Sequence, residues 1–237
     1  MNAPRTVSRA LLPLALCCGQ WVNPLQARAQ ADPRAEEILR AARVNPLGQP
    51  VALEARLRSG RELTPFRIVV DSAISFVFDH PPRTLTLDLL GQNSRLTEKS
   101  AGKLAAIRST RYDERIRGTD ITFEDLALKF LYWKYPRLLG EETLRTRRVW
   151  MIETPAPRGA SQYGAARLWI DQEGGALMRI EGFDMQGRLI RKFEVVSAQK
   201  IDGQWMLKQM RIESLDPETG KTLSRTYLEV TGKADTR

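Results

Sequence analysis

The sequence contains very little cysteine and histidine. Its two cysteines, Cys17 and Cys18, lie close to the N-terminus, and its one histidine, His80, precedes two prolines. Such a chain offers no His–His metal site and no catalytic triad with a spare histidine. It also lacks a glycine-rich phosphate loop, because Gly174-Gly175 falls in a predicted hairpin. We therefore expect no metal, no cofactor and no enzymatic activity.

Residues 1–31 predict a secretory signal peptide. Arg5 and Arg9 form a positive leading region, and Ala10–Val22 is an apolar core that is too short to cross a bilayer as a helix. A retained membrane anchor is the alternative interpretation. The prediction is export to the periplasm, with residues 32–237 forming a single mature domain.

Two tripeptides in this segment offer small residues to signal peptidase, Ala27-Arg28-Ala29 and Ala29-Gln30-Ala31. A lipoprotein signal would need a small residue before the modified cysteine, but Leu16 precedes Cys17. Cleavage after Ala29 or Ala31 is therefore favoured over lipid anchoring. The mature chain would then contain no cysteine, which excludes a disulfide, a thiolate metal site and a cysteine nucleophile.

The charge of the chain is positive but evenly mixed. The formal net charge is +9, and removal of Arg5, Arg9 and Arg28 with the signal peptide leaves +6 (9 − 3). A basic chain can bind an anionic partner, or the charge can simply keep it soluble. Acidic and basic residues are interspersed without a lysine-rich run, so we expect no nucleic-acid partner. After residue 31 no apolar run is long enough for a membrane helix.

Hydrophobic residues alternate with polar ones over most of the chain from residue 50 to residue 230. In the segment 188–195, Leu189, Phe193 and Val195 share one face while Lys192 and Glu194 take the other. A period of two is typical of an antiparallel sheet with one dry face. The pattern predicts strands over Pro50–Ser59, Glu62–Asp71, 74–78, 84–89, Arg147–Glu153, Ala166–Asp171, Leu177–Phe183, Arg188–Ser197, Trp205–Leu215 and Leu223–Val230, with a bulge near Lys208-Gln209. The predicted class is mainly β with few helices, in a barrel or strongly curved sheet.

Two helices are predicted around these strands. Asp32 can cap a first helix that begins at Pro33, and its apolar stripe consists of Ala35, Ile38, Leu39 and Ala42. A second helix is predicted over Phe123–Leu131, after a variant capping box formed by Thr122 and Asp125.

Three carboxylates cluster at the start of this second helix, Asp120, Glu124 and Asp125. A carboxylate pair can perform acid/base catalysis, so a hydrolase remains one hypothesis. The other interpretation is capping, because acidic side chains are favoured in the first turn of a helix.

Large apolar residues are spread over many of the predicted elements. They form either a packed core or the lining of a partly empty cavity, and the pattern does not separate the two. The candidates for a ligand cavity are Phe66, Ile68, Phe76, Phe78, Leu85, Leu87, Phe130, Trp133, Trp150, Ile152, Trp169, Ile180, Phe193 and Met210. We expect the concave side of the sheet to be apolar and to contain vacant room.

The segment Gly118–Leu126, with the letters Gly-Thr-Asp-Ile-Thr-Phe-Glu-Asp-Leu, resembles a known family. It is similar to the outer-membrane lipoprotein-sorting proteins of the LolA/LolB-like superfamily, in a branch of uncharacterised periplasmic proteins with a Gly-Thr-Asp…(Tyr/Phe)-Glu-Asp-Leu motif. The resemblance covers roughly residues 32–232. It continues through 130–133, Trp150, Tyr163, 169–171, 184–189, 203–205 and 226–230.

The resemblance implies a half-open antiparallel barrel that is covered on its concave side by helices and takes up acyl chains of a lipid or lipoprotein. It implies a monomeric carrier that moves its cargo toward the outer membrane through transient membrane or membrane-protein partners. A cargo-free envelope sensor or protein-binding module on the same fold is the alternative. The family's gating arginine has four candidates here, Arg40, Arg43, Arg56 and Arg58.

Overall fold

The computed structural model describes residues 32–44 and 50–234, so the predicted signal peptide lies outside the described residues and stays a prediction. The described part contains two α-helices and thirteen strands. They are α1 (Pro33–Val44), β1 (Val51–Ser59), β2 (Glu62–Val70), β3 (Ile74–Phe78), β4 (Arg83–Asp88), β5 (Arg95–Ser100), β6 (Lys103–Ala106), α2 (Phe123–Leu126), β7 (Arg137–Leu144), β8 (Arg147–Pro155), β9 (Ala165–Asp171), β10 (Leu177–Phe183), β11 (Leu189–Ile201), β12 (Gln204–Leu215) and β13 (Thr222–Lys233). No helix within these residues has the length and apolar character needed to cross a membrane.

All thirteen strands belong to one curved, unclosed sheet, in the order β6-β5-β4-β3-β2-β1-β13-β12-β11-β10-β9-β8-β7. Neighbouring strands pair antiparallel throughout, and β6 and β7 are the two edges. The alternating side chains place an apolar face on one side, here called the inner face, where α1 and α2 pack. The predicted fold class, a half-open antiparallel sheet covered by helices on its concave side, is confirmed.

The strand predictions succeed where one face is buried. The bulge predicted near Lys208 is confirmed, because β11 pairs Ser197 with Gln209 and Ala198 with Leu207, which leaves Lys208 unpaired with β11. Strands β5 and β6 lie within Gly91–Arg117, a less regular stretch for which the sequence predicts only further short strands and loops. Strand β7 is absent from the prediction. It is an edge strand that is largely exposed on both faces, so its sequence carries no period-two pattern.

Helix α1 forms as predicted. Asp32 Oδ1 accepts hydrogen bonds from the backbone amides of Arg34 at 2.9 Å and Ala35 at 3.3 Å, and the four stripe residues are buried. Asp32 Oδ2 also accepts a bond from the Leu138 amide at 3.2 Å, which joins the start of α1 to β7 and lowers the pKa of Asp32. One cap therefore stabilises the helix and fixes its position at a sheet edge.

The second helix is much shorter than predicted. The capping box of Thr122 and Asp125 is present, but α2 ends at Leu126, and Leu128 adopts a left-handed backbone with φ 49°. A 3₁₀ turn, Lys129–Tyr132, follows. The carbonyls of Phe130 and Leu131 accept side-chain hydrogen bonds from outside the segment rather than helical ones. Tertiary contacts thus override the local helical pattern.

Residues 107–136, here called the covering segment, connect the two edge strands. The segment begins directly after β6, contains α2 and the 3₁₀ turn, and ends directly before β7. Its apolar residues join the cluster on the inner face; those that are buried are Ile107, Ile116, Ile121, Phe123, Ala127, Phe130, Leu131 and Trp133. The chain therefore passes from one edge of the sheet to the other across the inner face.

Candidate functional site

The structure brings together thirteen of the fourteen predicted cavity residues. Eleven are buried in the inner-face cluster, and Trp150 and Met210 pack against it half-buried. The eleven are Phe66, Ile68, Phe76, Phe78, Leu85, Leu87, Phe130, Trp133, Ile152, Ile180 and Phe193. Trp169 points to the opposite face, where it packs with Leu144 and Val149 and donates from its indole nitrogen to Glu142 Oε2 at 2.6 Å.

The inner face is apolar but filled. The apolar crevice between sheet and covering segment holds only about 10 Å³. It is lined by Leu57, Phe66, Phe76, Phe78, Ile116, Ile121, Leu126 and Leu228. Phe66 stacks on Phe78 with ring centroids 5.1 Å apart, and both are 3% exposed. Small-molecule sites usually offer several hundred Å³, so the expected vacant room is not present among the described residues in this conformation.

One arginine of α1 fastens the covering segment. Arg43 donates from Nε at 3.0 Å and from Nη2 at 2.6 Å to the backbone carbonyl of Leu131, and its guanidinium lies 4.2 Å from the ring centre of Tyr132. Burial lowers the pKa of Arg43 and raises that of Tyr132. Arg43 thus holds the 3₁₀ turn against α1.

The other three candidate gating arginines are placed differently. Arg56 and Arg58 both donate to the carboxylate of Glu229, at 2.7 Å and 2.8 Å, between β1 and β13. Arg40 is exposed on α1. Of the four, Arg43 has the geometry of a latch on the covering segment.

A buried polar cluster anchors the other half of the covering segment. Asp120 is 1% exposed, and its carboxylate accepts hydrogen bonds from Ser214 Oγ at 2.6 Å, from Thr226 Oγ1 at 3.0 Å and from Ser224 Oγ. Arg191 donates to the Asp120 carbonyl at 2.5 Å and to Ser214 Oγ at 2.7 Å. The Gly-Thr-Asp motif is therefore tied to three strands, β11, β12 and β13.

Asp125 extends this anchor to the loop between β8 and β9. The Tyr163 hydroxyl donates to Asp125 Oδ1 at 2.5 Å, and the Thr122 amide and hydroxyl donate to Oδ2 at 2.9 and 2.8 Å. Burial raises the pKa of both Asp125 and Tyr163. A Cβ at Gly182 would lie 2.5 Å from the Tyr163 ring, so glycine makes room for this ring.

Sequence reasoning proposed Asp120, Glu124 and Asp125 as catalytic or capping residues. Asp120 and Asp125 both have their oxygens occupied by hydrogen-bond donors of the fold. Within the described residues, no three His, Cys, Asp or Glu side chains form a group that could hold a metal ion. The sequence interpretation missed Arg191, although a charged residue two positions before the inward-facing Phe193 is a detectable break in the alternation.

Comparisons of the sequence with known proteins identify one family and no curated relative. A protein-family model with the description "Uncharacterized protein" matches residues 93–232, more than half of the 237-residue chain. A search of curated proteins found no match.

Three solved structures share the fold. A DUF1329 family protein from Desulfovibrio piger superposes with a TM-score of 0.64 at 20% identity, covering 83% of this chain and 89% of that one. A proposed outer membrane lipoprotein-sorting protein domain from Vibrio parahaemolyticus gives 0.67 at 14% identity, covering 85% and 92%. A LolA superfamily protein from Nitrosomonas europaea gives 0.57 at 16% identity, covering 86% and 94%.

Proposed function

The chain belongs to the family whose model matches residues 93–232 and has a LolA-like fold, and from this premise we propose that it is a periplasmic lipid carrier. It binds the acyl chains of a lipid or lipoprotein between the sheet and the covering segment and moves them toward the outer membrane. The observation that carries the proposal is the apolar crevice. Its walls come from both the sheet, through Phe66 and Phe78, and the covering segment, through Ile121 and Leu126.

The energetics require this crevice to open. Each CH₂ group of an acyl chain gains about 0.8 kcal/mol on leaving water, so a continuous apolar surface is sufficient to hold a chain. The described conformation fills that surface with its own side chains, and an acyl chain enters only when the covering segment moves away. Movement of the segment then also provides release, because re-packing of the phenylalanines displaces the chain.

Arg43 is the residue in this scheme that links closure to polar contacts. Its two hydrogen bonds to the Leu131 carbonyl and its stacking on Tyr132 exist only while the 3₁₀ turn lies against α1. A charge-assisted hydrogen bond is stronger than a neutral one and depends on the geometry of its partners. The hydrogen bonds of Arg43 therefore stabilise the closed conformation, and Arg43 itself does not line the apolar crevice.

Lipid binding can be tested directly. Protein purified without detergent should retain co-purified lipid in native mass spectrometry, and delipidated protein should take up a fluorescent fatty acid. The absence of both would contradict the carrier proposal.

The latch makes a separate prediction. Arg43→Met should speed uptake of the fluorescent fatty acid several-fold and lower the melting temperature by a few degrees, since a charge-assisted hydrogen bond contributes about 1.5–3 kcal/mol. Stopped-flow fluorescence and thermal melts measure the two effects. Arg40→Met, an exposed arginine of the same helix, is the matched control. Equal uptake rates in both variants would exclude a latch at Arg43.

The filled interior favours a second candidate, a cargo-free protein-binding module on the same fold. Its binding surface would be an open sheet edge, because within residues 32–44 and 50–234 the strands β6 and β7 each have one side without a partner strand. Under this alternative the protein takes up no fatty acid, and Arg43→Met changes stability without creating uptake.

A further inference from the structure

A second pocket, separate from the apolar crevice, lies where the loop between β4 and β5 meets the 3₁₀ turn. Its volume is about 320 Å³, within the range of small-molecule sites. It is lined by Asp88, Gly91, Gln92, Asn93, Ser94, Arg95, Leu96, Ala106, Ile107 and Lys129. None of these residues lines the crevice, and none was a predicted cavity residue.

The pocket contains hydrogen-bond donors that the protein leaves unused. Ser94 is 2% exposed, and its hydroxyl has no hydrogen-bond partner among the residues that the structure describes. Lys129, half-buried, gives one hydrogen bond to the Ser94 carbonyl at 2.6 Å, and an ammonium group has three donors. A buried hydroxyl without a partner costs free energy. The Ser94 hydroxyl is covered in this conformation, and a rotation of its side chain toward the pocket would let a bound ligand accept a hydrogen bond from it.

The charge of the lining favours an anion. Arg95 and Lys129 contribute two positive charges, against the single negative charge of Asp88. The Asp88 Oδ1 atom already accepts a hydrogen bond from the Leu90 amide at 2.9 Å, which helps to hold the loop. Phosphate oxygens accept several charge-assisted hydrogen bonds at once and suit a lysine beside a hydroxyl.

We propose that this pocket binds the phosphate group of a phosphoester, with Lys129, Ser94 and Arg95 as its donors. The group can belong to a water-soluble phosphoester or to a phospholipid headgroup. The inference is independent of acyl binding, since the two sites share no lining residue.

Two probes distinguish the sources. Glycerol 3-phosphate is titrated into the purified protein by calorimetry, and co-sedimentation compares phosphatidylglycerol vesicles with phosphatidylcholine vesicles. Ser94→Ala should weaken binding of the effective probe about tenfold, the loss expected for one hydrogen bond to a charged group. Lys129→Met should weaken it at least as much. Lys208→Met, which removes an exposed lysine outside the pocket, should leave it unchanged.

Each outcome decides the proposal. Glycerol 3-phosphate binding that is weakened by Ser94→Ala supports a soluble phosphoester. Binding only to phosphatidylglycerol vesicles, weakened by the same variant, supports a lipid headgroup. Binding of neither probe overturns the proposal, as does binding that Ser94→Ala leaves unaltered. Because Ser94→Ala removes only an unpartnered hydroxyl, the variant should fold with unchanged or higher stability, which thermal melts verify.

Discussion

Glu124 is a buried acid whose hydrogen bonding is incomplete. It is 1% exposed; Oε2 accepts a bond from the Gln162 amide at 3.1 Å, while Oε1 has no partner among the described residues. Burial raises the pKa of Glu124, and the adjacent Asp125 carboxylate raises it further. Glu124 therefore makes the stability of the Gly118–Leu126 segment sensitive to pH.

The sign of this sensitivity follows from linkage. Between the ordinary pKa of 4.5 and the raised value in the fold, the folded protein keeps a proton that the unfolded chain has lost. The contribution of Glu124 to the free energy of unfolding therefore falls as pH rises through that interval and stays constant above it.

Glu124→Gln should remove this loss. We expect the variant to be more stable than the wild type at pH 7 by about 1 kcal/mol, because it no longer buries a charge with an unpaired oxygen. The difference should shrink toward pH 4, where the wild-type carboxyl is protonated. Urea denaturation from pH 4 to 8 measures both, with the exposed Glu62→Gln as control. A variant less stable than the wild type at pH 7 would refute this reading.

Sequence distance separates the contacts that could be predicted from those that could not. The cap by Asp32 and the capping box of Thr122 and Asp125 join residues at most three positions apart, so the local sequence is sufficient to predict them. The hydrogen bond from Thr226 to Asp120 spans 106 residues and forms only once the strands are assembled and the covering segment lies across them. Such partners cannot be paired from one sequence without the fold.

At the scale of elements, the covering segment has polar attachments at both of its parts. Asp120 joins the stretch before α2 to three strands, and Arg43 joins the 3₁₀ turn to α1. The sequence predicted a continuous helix here because Phe123, Leu126, Ala127 and Phe130 follow helical spacing. That spacing is also satisfied by a short helix and a 3₁₀ turn that are separated by a left-handed Leu128.

Asp120→Ala should loosen the first attachment. The variant lacks the carboxylate that accepts hydrogen bonds from the hydroxyls of Ser214 and Thr226. We therefore expect the free energy of unfolding to fall by about 3 kcal/mol. Hydrogen exchange should rise at the amides of Ile116 and Thr119, which bond within this stretch. Asp113→Ala, an exposed aspartate of the same segment, should change neither. Unchanged exchange in Asp120→Ala would show that apolar packing alone holds the segment.

At the scale of the whole molecule, alternation was enough to predict a mainly β chain with one apolar face, while the half-open form covered by helices was implied by the family resemblance. The alternation pattern could not show whether the interior is filled. An inward-facing residue is of the same type whether it packs against a neighbouring side chain or lines a ligand site. Trp169 shows a related limit: its strand, β9, has buried residues on both faces, so the letters do not tell which side the indole takes. Packing density is a property of the assembled sheet and covering segment.

A cavity-creating substitution tests whether the interior is tightly packed. Phe66→Ala removes a ring that stacks on Phe78 and should lower the free energy of unfolding by about 3–5 kcal/mol. If the crevice is the acyl site, the same variant should bind the fluorescent fatty acid more tightly, since less of its own apolar surface must be displaced. Leu63→Ala, on the same strand but exposed, is the control. A loss below about 1 kcal/mol would show that the crevice is not tightly packed.

The covering segment starts at one rim of the open sheet and finishes at the other. Because both of its ends are joined to edge strands, the covering segment cannot rotate outward about a single hinge. Either its central part moves away from the sheet, or the whole segment moves together with β6 and β7 as these edge strands separate. In the described part of the chain no backbone hydrogen bonds join β6 to β7, so the two edge strands can move apart without breaking any sheet hydrogen bond, and the space between sheet and covering segment can change in width.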